Sequence, residues 1–170
     1  DRDVLIVLHQ KGSHGPAYYK RHPKQFQLFQ PECQDEQLGE CSRQEVVNAY
    51  DNSLLYTDFF LSRVLAFLKD NSDRYDTAML YVSDHGQSLG ERGLYLHGLP
   101  FWLAPDEQIH VPFFLWFSDG FKQSYGIDES CLSAKSGRKF SHDNIFHSVL
   151  GLFEIGTIEY NPALDILDGC

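Results

Sequence analysis

Two short, unbroken apolar runs separated by one long amphipathic stretch constrain this chain more than any other feature. VLIVLHQ occupies 4–10 and TAMLYVS occupies 77–83. Runs of that length without polar alternation suit strands covered on both faces. Between them, residues 42–71 place apolar side chains at 46, 49, 50, 54, 56, 60, 61, 64, 65, 67 and 68, the broad stripe of a helix burying one face. Ser42 and Glu45 form an S-x-x-E capping box at its start, and Asn71 ends it. Strand, helix and strand make a βαβ unit, which predicts two parallel strands joined by a right-handed crossover. VPFFLWFS (111–118) reads as a third strand, with Pro112 tolerated near its start. HDNIFHSVLGLF (142–153) reads as a second helix capped by Ser141 or Asp143. Residues 119–140, rich in Gly, Ser and Lys, read as a long surface loop. The alternation points to the α/β class, and 170 residues with 42% hydrophobic content suit one domain over 1–170.

Open, largely parallel sheets bind ligands beyond the carboxyl ends of their strands. GSHG (12–15) follows the first apolar run and SDHG (83–86) follows the second, so both histidine-bearing turns are expected at one sheet edge. Asp84 and His85 offer a carboxylate oxygen and an imidazole nitrogen, donors that zinc accepts, and Gly86 lets the backbone bend sharply there. The alternative is a tight polar turn bonded to its own backbone. His14 and His97, expected at the same edge, are candidates for a second ion or for phosphate contacts. His9, His22 and His110 are assigned structural or solvated roles. His142 and His147 are assigned to capping or packing, since a separation of five does not place them on one helix face. Glu91 either neutralises a cation or faces water. Tyr18, Tyr19, Phe101 and Trp102 are assigned to core packing, with a lipid-facing rim as the alternative.

The formal charge of -10 argues against nonspecific binding to nucleic acid or to an anionic membrane surface. No apolar run approaches the ~20 residues that span a bilayer, and no signal peptide is visible. The abrupt start at DRDVLIVLHQ reads as a cut from a larger membrane protein. Cys33 and Cys41 lie in PECQDEQLGECS, a polar segment with little burial to hold it, where a disulfide closing a small ring would be worth about 2.5 kcal/mol. Cys131 and Cys170 are available for a second bridge that nothing in the sequence brings together. Disulfides imply an oxidising compartment; four reduced thiols are the alternative. No C-x-x-C spacing supports metal binding by the cysteines.

GSHGPAYYKRHPKQF, NAYDNSLLYTDFFL, YVSDHGQSLGERGLYLHGLPFWLAPDEQ, VPFFLWFSD and SHDNIFHSVLG together resemble the periplasmic catalytic domain of the lipid A phosphoethanolamine transferases, the family of the colistin-resistance enzymes. The likeness covers nearly the whole chain in the same order. It implies an alkaline-phosphatase-like, sulfatase-superfamily fold, a sheet flanked by helices, of which 1–170 would be the C-terminal, partial portion. It further implies zinc as cofactor, with Asp84 and His85 as ligands and His14 and His97 holding a second zinc or the substrate phosphate. The Cys33–Cys41 pair matches one of the family's short disulfide loops. Members often carry Glu where this chain has Gln87, so the charge beside the ligand pair differs.

The family's threonine nucleophile, glutamate ligand and N-terminal membrane helices lie upstream of the matched segment. Thr57, Thr77 and Thr157 match none of its motifs, so the chain by itself is expected to be inert. The implied activity transfers phosphoethanolamine from phosphatidylethanolamine to a lipid A phosphate, or to another lipopolysaccharide sugar, through a phospho-threonine. It takes place on the periplasmic face of the inner membrane and confers polymyxin and colistin resistance. A phosphatase or phosphoglycerol transferase of the same fold, or a non-catalytic remnant, are the alternatives. A sulfatase is disfavoured because no cysteine sits in a C-x-P/A-x-R context.

Overall fold

A computed structural model describes residues 3–170 of the chain. They fall into two compact units. One comprises Leu8–Asp70 and Met79–Trp116; the other comprises the segment ending at Val7 with Asn71–Ala78 and Phe117–Cys170.

The first unit is organised by helix α1, Arg43–Asp70. Its start follows the capping box in both directions: Glu45 N donates to Ser42 Oγ at 3.3 Å and Ser42 N to a Glu45 carboxylate oxygen at 2.7 Å. The buried residues of α1, Val46, Asn48, Ala49, Asn52 and Ser53, lie in its first half. Val46 and Ala49 pack with Tyr18, Cys33 and Leu38 into one core. Tyr18 meets Tyr50 edge-on at 5.5 Å, a preferred geometry for aromatic pairs. The polar segment over this core is held by short 3₁₀ turns at Tyr18–Lys20, Lys24–Phe26 and Leu38–Glu40 and by the Cys33–Cys41 disulfide. Cys33 N also donates to Glu45 O at 2.9 Å. The expected pairing of these two cysteines is present.

Strand β1 (Ala78–Val82) forms a two-stranded sheet with the strand Phe113–Phe117. Ser83 N, beyond the end of β1, donates to Pro112 O, before the start of its partner; Ser118 N, past that partner, donates to Thr77 O, before β1. The pair is therefore antiparallel. Two short strands lie between, β2 (Ser88–Leu89) and β3 (Tyr95–Leu96), antiparallel with Ser88 opposite Leu96. The one-turn helix α2 (Asp106–Ile109) follows them, which makes Phe113–Phe117 strand β4.

The βαβ expectation fails at its first strand. Residues 4–10 are not in a strand, and Val4, Leu5, Ile6, Val7 and Leu8 are each more than half exposed. The apolar run needs a strand on either side, and the described sheets, β1 with β4 and β2 with β3, contain none beside it. No parallel pair or right-handed crossover forms among the described residues.

In the second unit the expected loop 119–140 instead carries two short helices over most of its length. Helix α3 (Asp119–Tyr125) is capped by Ser118, whose Oγ accepts from Phe121 N, and ends at Gly126 in the left-handed region with φ 67°. Asp128 caps helix α4 (Glu129–Lys135) by accepting from Ser130 N and Cys131 N. Helix α5 (Asp143–Leu152) agrees with the expected second helix; Ser141 Oγ accepts from Asp143 N at 3.3 Å, and Asn144 Oδ1 accepts from Ser141 N at 2.8 Å. The chain end is sewn to these helices. Ser148 Oγ accepts from Ile166 N, Lys135 Nζ donates to Ile166 O and Asp168 O, and a second disulfide joins Cys131 to Cys170.

Candidate functional site

The site is built in the first unit from three local devices. The first is the DHG turn after β1. Gly86 N donates to Gln108 O at 2.9 Å, so close to α2 that a Cβ on residue 86 would collide with the Glu107 backbone carbonyl. Only glycine fits there. The second is the β2–β3 hairpin, closed by Gly90 N donating to Leu94 O at 2.8 Å. It turns twelve residues of sequence into a return path that sets His97 beside His85. Leu96 and Gly98, on either side of His97, are both left-handed, with φ 64° and 106°, and this unusual backbone aims the ring. The third is the 12–15 turn. A Cβ on Gly15 would lie 2.5 Å from Leu96 Cδ2 and 2.7 Å from the Tyr18 hydroxyl, so the backbone of this turn rests directly on the core.

The three devices bring His14, His85 and His97 together. The His85 and His97 rings stack at 3.7 Å between centroids, and His14 lies edge-on to both, at 5.6 and 5.0 Å. One nitrogen from each falls within 4.8 Å of the others, a group that can hold a metal ion. His14 Nδ1 lies 2.6 Å from Gly15 O and His85 Nδ1 2.9 Å from Gly86 O. A carbonyl only accepts, so these contacts select the tautomer with the proton on Nδ1, in which Nε2 is the nitrogen that would ligate a metal. Burial, then the neighbouring His85 and His14, push the His97 imidazole below its ordinary pKa, against the opposing pull of Asp84. Asp84 stands next to the cluster with Oδ2 3.8 Å from His85 Nε2 and its side chain largely exposed; its Oδ1 accepts from His85 N at 3.0 Å. In that tautomer His85 Nε2 and the Asp84 carboxylate are both donors that a shared cation could use. Imidazole with a single carboxylate is a donor set for zinc or a similar transition metal rather than for magnesium or calcium.

The other sequence candidates resolve differently. Glu91 is neither a ligand nor free: burial would raise its pKa, but bonds from Leu89 N and the Arg43 guanidinium hold it below the ordinary range. Gln87 is buried, with its Oε1 3.3 Å from the Tyr18 hydroxyl that donates to it. His147 Nδ1 accepts from Asn161 N in the second unit, a packing role as expected. His22 is not solvated; its Nε2 lies 3.2 Å from the buried Glu32 carboxylate. Of the aromatics assigned to the core, Tyr18 belongs there, but Phe101 and Trp102 are about four-fifths exposed, at 81% and 80%. Pro100 and Pro105 bracket them in a turn that faces solvent. Gln108 was missed. It ties α2 to the hairpin through Nε2 to Ser88 Oγ at 2.9 Å, and a lone glutamine in a polar run gives no sequence signal for that.

The sulfatase family model matches residues 1–155, and the chain belongs to that family. Within it, the chain is 45% identical to phosphoethanolamine transferase EptA of Salmonella typhimurium over 99% of its own length and 31% of that protein. It is 46% identical to phosphatidylethanolamine transferase Mcr-1 of Escherichia coli over 91% of its length and 27% of that protein. The fold superposes with a TM-score of 0.95 on the integral membrane lipooligosaccharide phosphoethanolamine transferase A of Neisseria meningitidis, at 43% identity, covering all of this chain and 32% of that one. The chain thus spans about a third of the length of these relatives. Among the described residues no helix is long and apolar enough to cross a membrane.

Proposed function

We propose that the chain forms the histidine-bearing part of a zinc-dependent phosphoethanolamine transferase, acting at the periplasmic face of the inner membrane. The donor is phosphatidylethanolamine. The acceptor is a lipid A phosphate or another lipopolysaccharide group, and the outcome is polymyxin and colistin resistance. The observation that carries this reading is the convergence of His14, His85 and His97 beside Asp84, from turns 83 residues apart at their extremes. The likeness to named transferases supports the substrate class.

Asp84 and His85 hold the zinc, and His14 and His97 face the phosphate or a second ion. The metal would supply Lewis-acid polarisation of the phosphoryl group and a lowered hydroxyl pKa for the nucleophile. The chain's own residues do the rest. His97 and His14 face the phosphate, where they take or return a proton at the attacking and leaving oxygens. Gly86 and the hairpin fix ring positions so that little reorganisation is needed. The phosphoethanolamine is carried in transit on a threonine supplied from outside these 170 residues. Thr57 lies inside α1 with its hydroxyl donated to Ser53 O at 3.2 Å, which fits no such role.

His85→Ala in the complete enzyme is expected to abolish transfer to lipid A and to lower bound zinc by elemental mass spectrometry. Normal zinc content with full transfer would refute the assignment.

A further inference from the structure

The turn that leaves His97 has no place in the chemistry above. Residues 98–105, GLPFWLAP, carry no charge. Leu99, Phe101, Trp102 and Leu103 are exposed at 38, 81, 80 and 54%. Within the turn, Leu103 N and Ala104 N both donate to Pro100 O, at 2.8 and 2.9 Å. Both ends of the turn are fixed to the site: one continues directly from His97, and the other enters α2, whose Gln108 accepts from Gly86 N and donates to Ser88.

We infer that Leu99–Leu103 is a membrane-seating wedge that inserts Phe101 and Trp102 among the acyl chains of a zwitterionic phospholipid surface and so brings a lipid headgroup to the histidine rim. The inference rests on the lipid-to-lipid transfer proposed above. A turn closed on Pro100 O and presenting only apolar side chains suits the headgroup boundary, where its other backbone groups keep polar partners while the side chains reach the acyl region. Trp beside Phe is the composition of the headgroup boundary. This turn differs in kind from the exposed apolar run Val4–Leu8, whose unbroken pattern calls for strand partners. With no Lys or Arg in the turn, Asp106 and Glu107 directly after it and an acidic chain overall, the wedge would enter neutral or zwitterionic lipid by apolar burial rather than anionic lipid by charge.

The test uses the complete enzyme in vesicles of phosphatidylethanolamine and phosphatidylcholine, part of the latter brominated on its acyl chains. Bromolipid quenching of tryptophan fluorescence is expected in the parent and is expected to drop in Trp102→Phe by the share that residue contributes. Identical quenching in the two proteins would overturn the wedge, and so would a Trp102 shielded by another part of the protein. Independently, Phe101→Ser/Trp102→Ser is expected to lower the ratio of the rate on bilayer donor to the rate on a monomeric short-chain donor by about tenfold or more. An unchanged ratio would also overturn it. Failure of the transferase reading itself looks different: the parent would transfer from neither donor, while the quenching result would still report on insertion.

Discussion

Asn52 shows how much a single residue can hold. It is fully buried in the middle of α1, yet every polar atom has a partner. Oδ1 accepts from Leu28 N and Phe29 N, and Nδ2 donates to Phe29 O and to the Glu32 carboxylate. Asn48, one turn earlier, donates to Pro31 O at 2.6 Å. These two amides pin the polar segment 28–32 to the helix where apolar contacts are scarce. Asn52→Ala removes the partner of the part-buried Leu28 and Phe29 amides and of the buried Glu32 carboxylate, and is expected to cost about 2 kcal/mol in urea unfolding. Within the site, Gly86→Ala forces the DHG turn away from the Glu107 carbonyl. Bound zinc in the complete enzyme is expected to fall along with activity even though no ligand is changed.

At the scale of elements, caps and turns decide where structure begins and how it is aimed. Ser118 is buried and its Oγ accepts from both Phe121 N and Thr77 N, so it starts α3 and anchors the segment before β1 at once. Ser118→Ala is expected to cost about 1–2 kcal/mol, read from a thermal melt. The same serine, with Gly126 and Asp128 further on, was the legible sign that 119–140 carries helices. A composition rich in Gly, Ser and Lys hid it, because α3 and α4 are each only seven residues long and show too little periodicity. The α1 prediction succeeded for the opposite reason: 28 residues carry both a full apolar stripe and a capping box. The β2–β3 hairpin was not foreseen. Its strands are two residues each, below any alternation signal, although Gly90 and Gly93 mark its turn.

For the whole molecule, covalent closure offsets a modest core. Only Tyr18, Cys33, Leu38, Val46 and Ala49 form the buried cluster of the first unit, and Cys33 is itself one of them. Cys33→Ser is expected to lower stability by about 2.5 kcal/mol from ring closure alone, with further loss from packing. Cys170→Ser opens a ring of sequence separation 39 and is expected to cost about 4 kcal/mol on the same argument. Non-reducing mass spectrometry of the periplasmic protein should find both pairs closed. The exposed Val4–Leu8 run lies outside the described sheets, and its unbroken apolar side chains suit cover by a strand on either side. The 170-residue chain alone is expected to release no phosphoethanolamine from phosphatidylethanolamine; measurable turnover would place the nucleophile within it.

The sequence by itself determined the long helix and the strands 78–82 and 113–117, and it singled out the candidate donors, Asp84 with three histidines at glycine-rich turns. Those features are written in short windows, as periodicity, caps and residue chemistry. The sequence placed residues 14, 85 and 97 at one edge through a parallel strand pair that does not form, and tertiary structure decided how they meet. That meeting depends on a hairpin whose strands are two residues each, on Gly15 seated against Leu96 and Tyr18, and on α2 reaching back to Gly86, contacts between positions with no local signature. It likewise decided the antiparallel pairing of β1 with β4, because pairing direction follows from which apolar faces find cover, and no window of sequence contains its own partner.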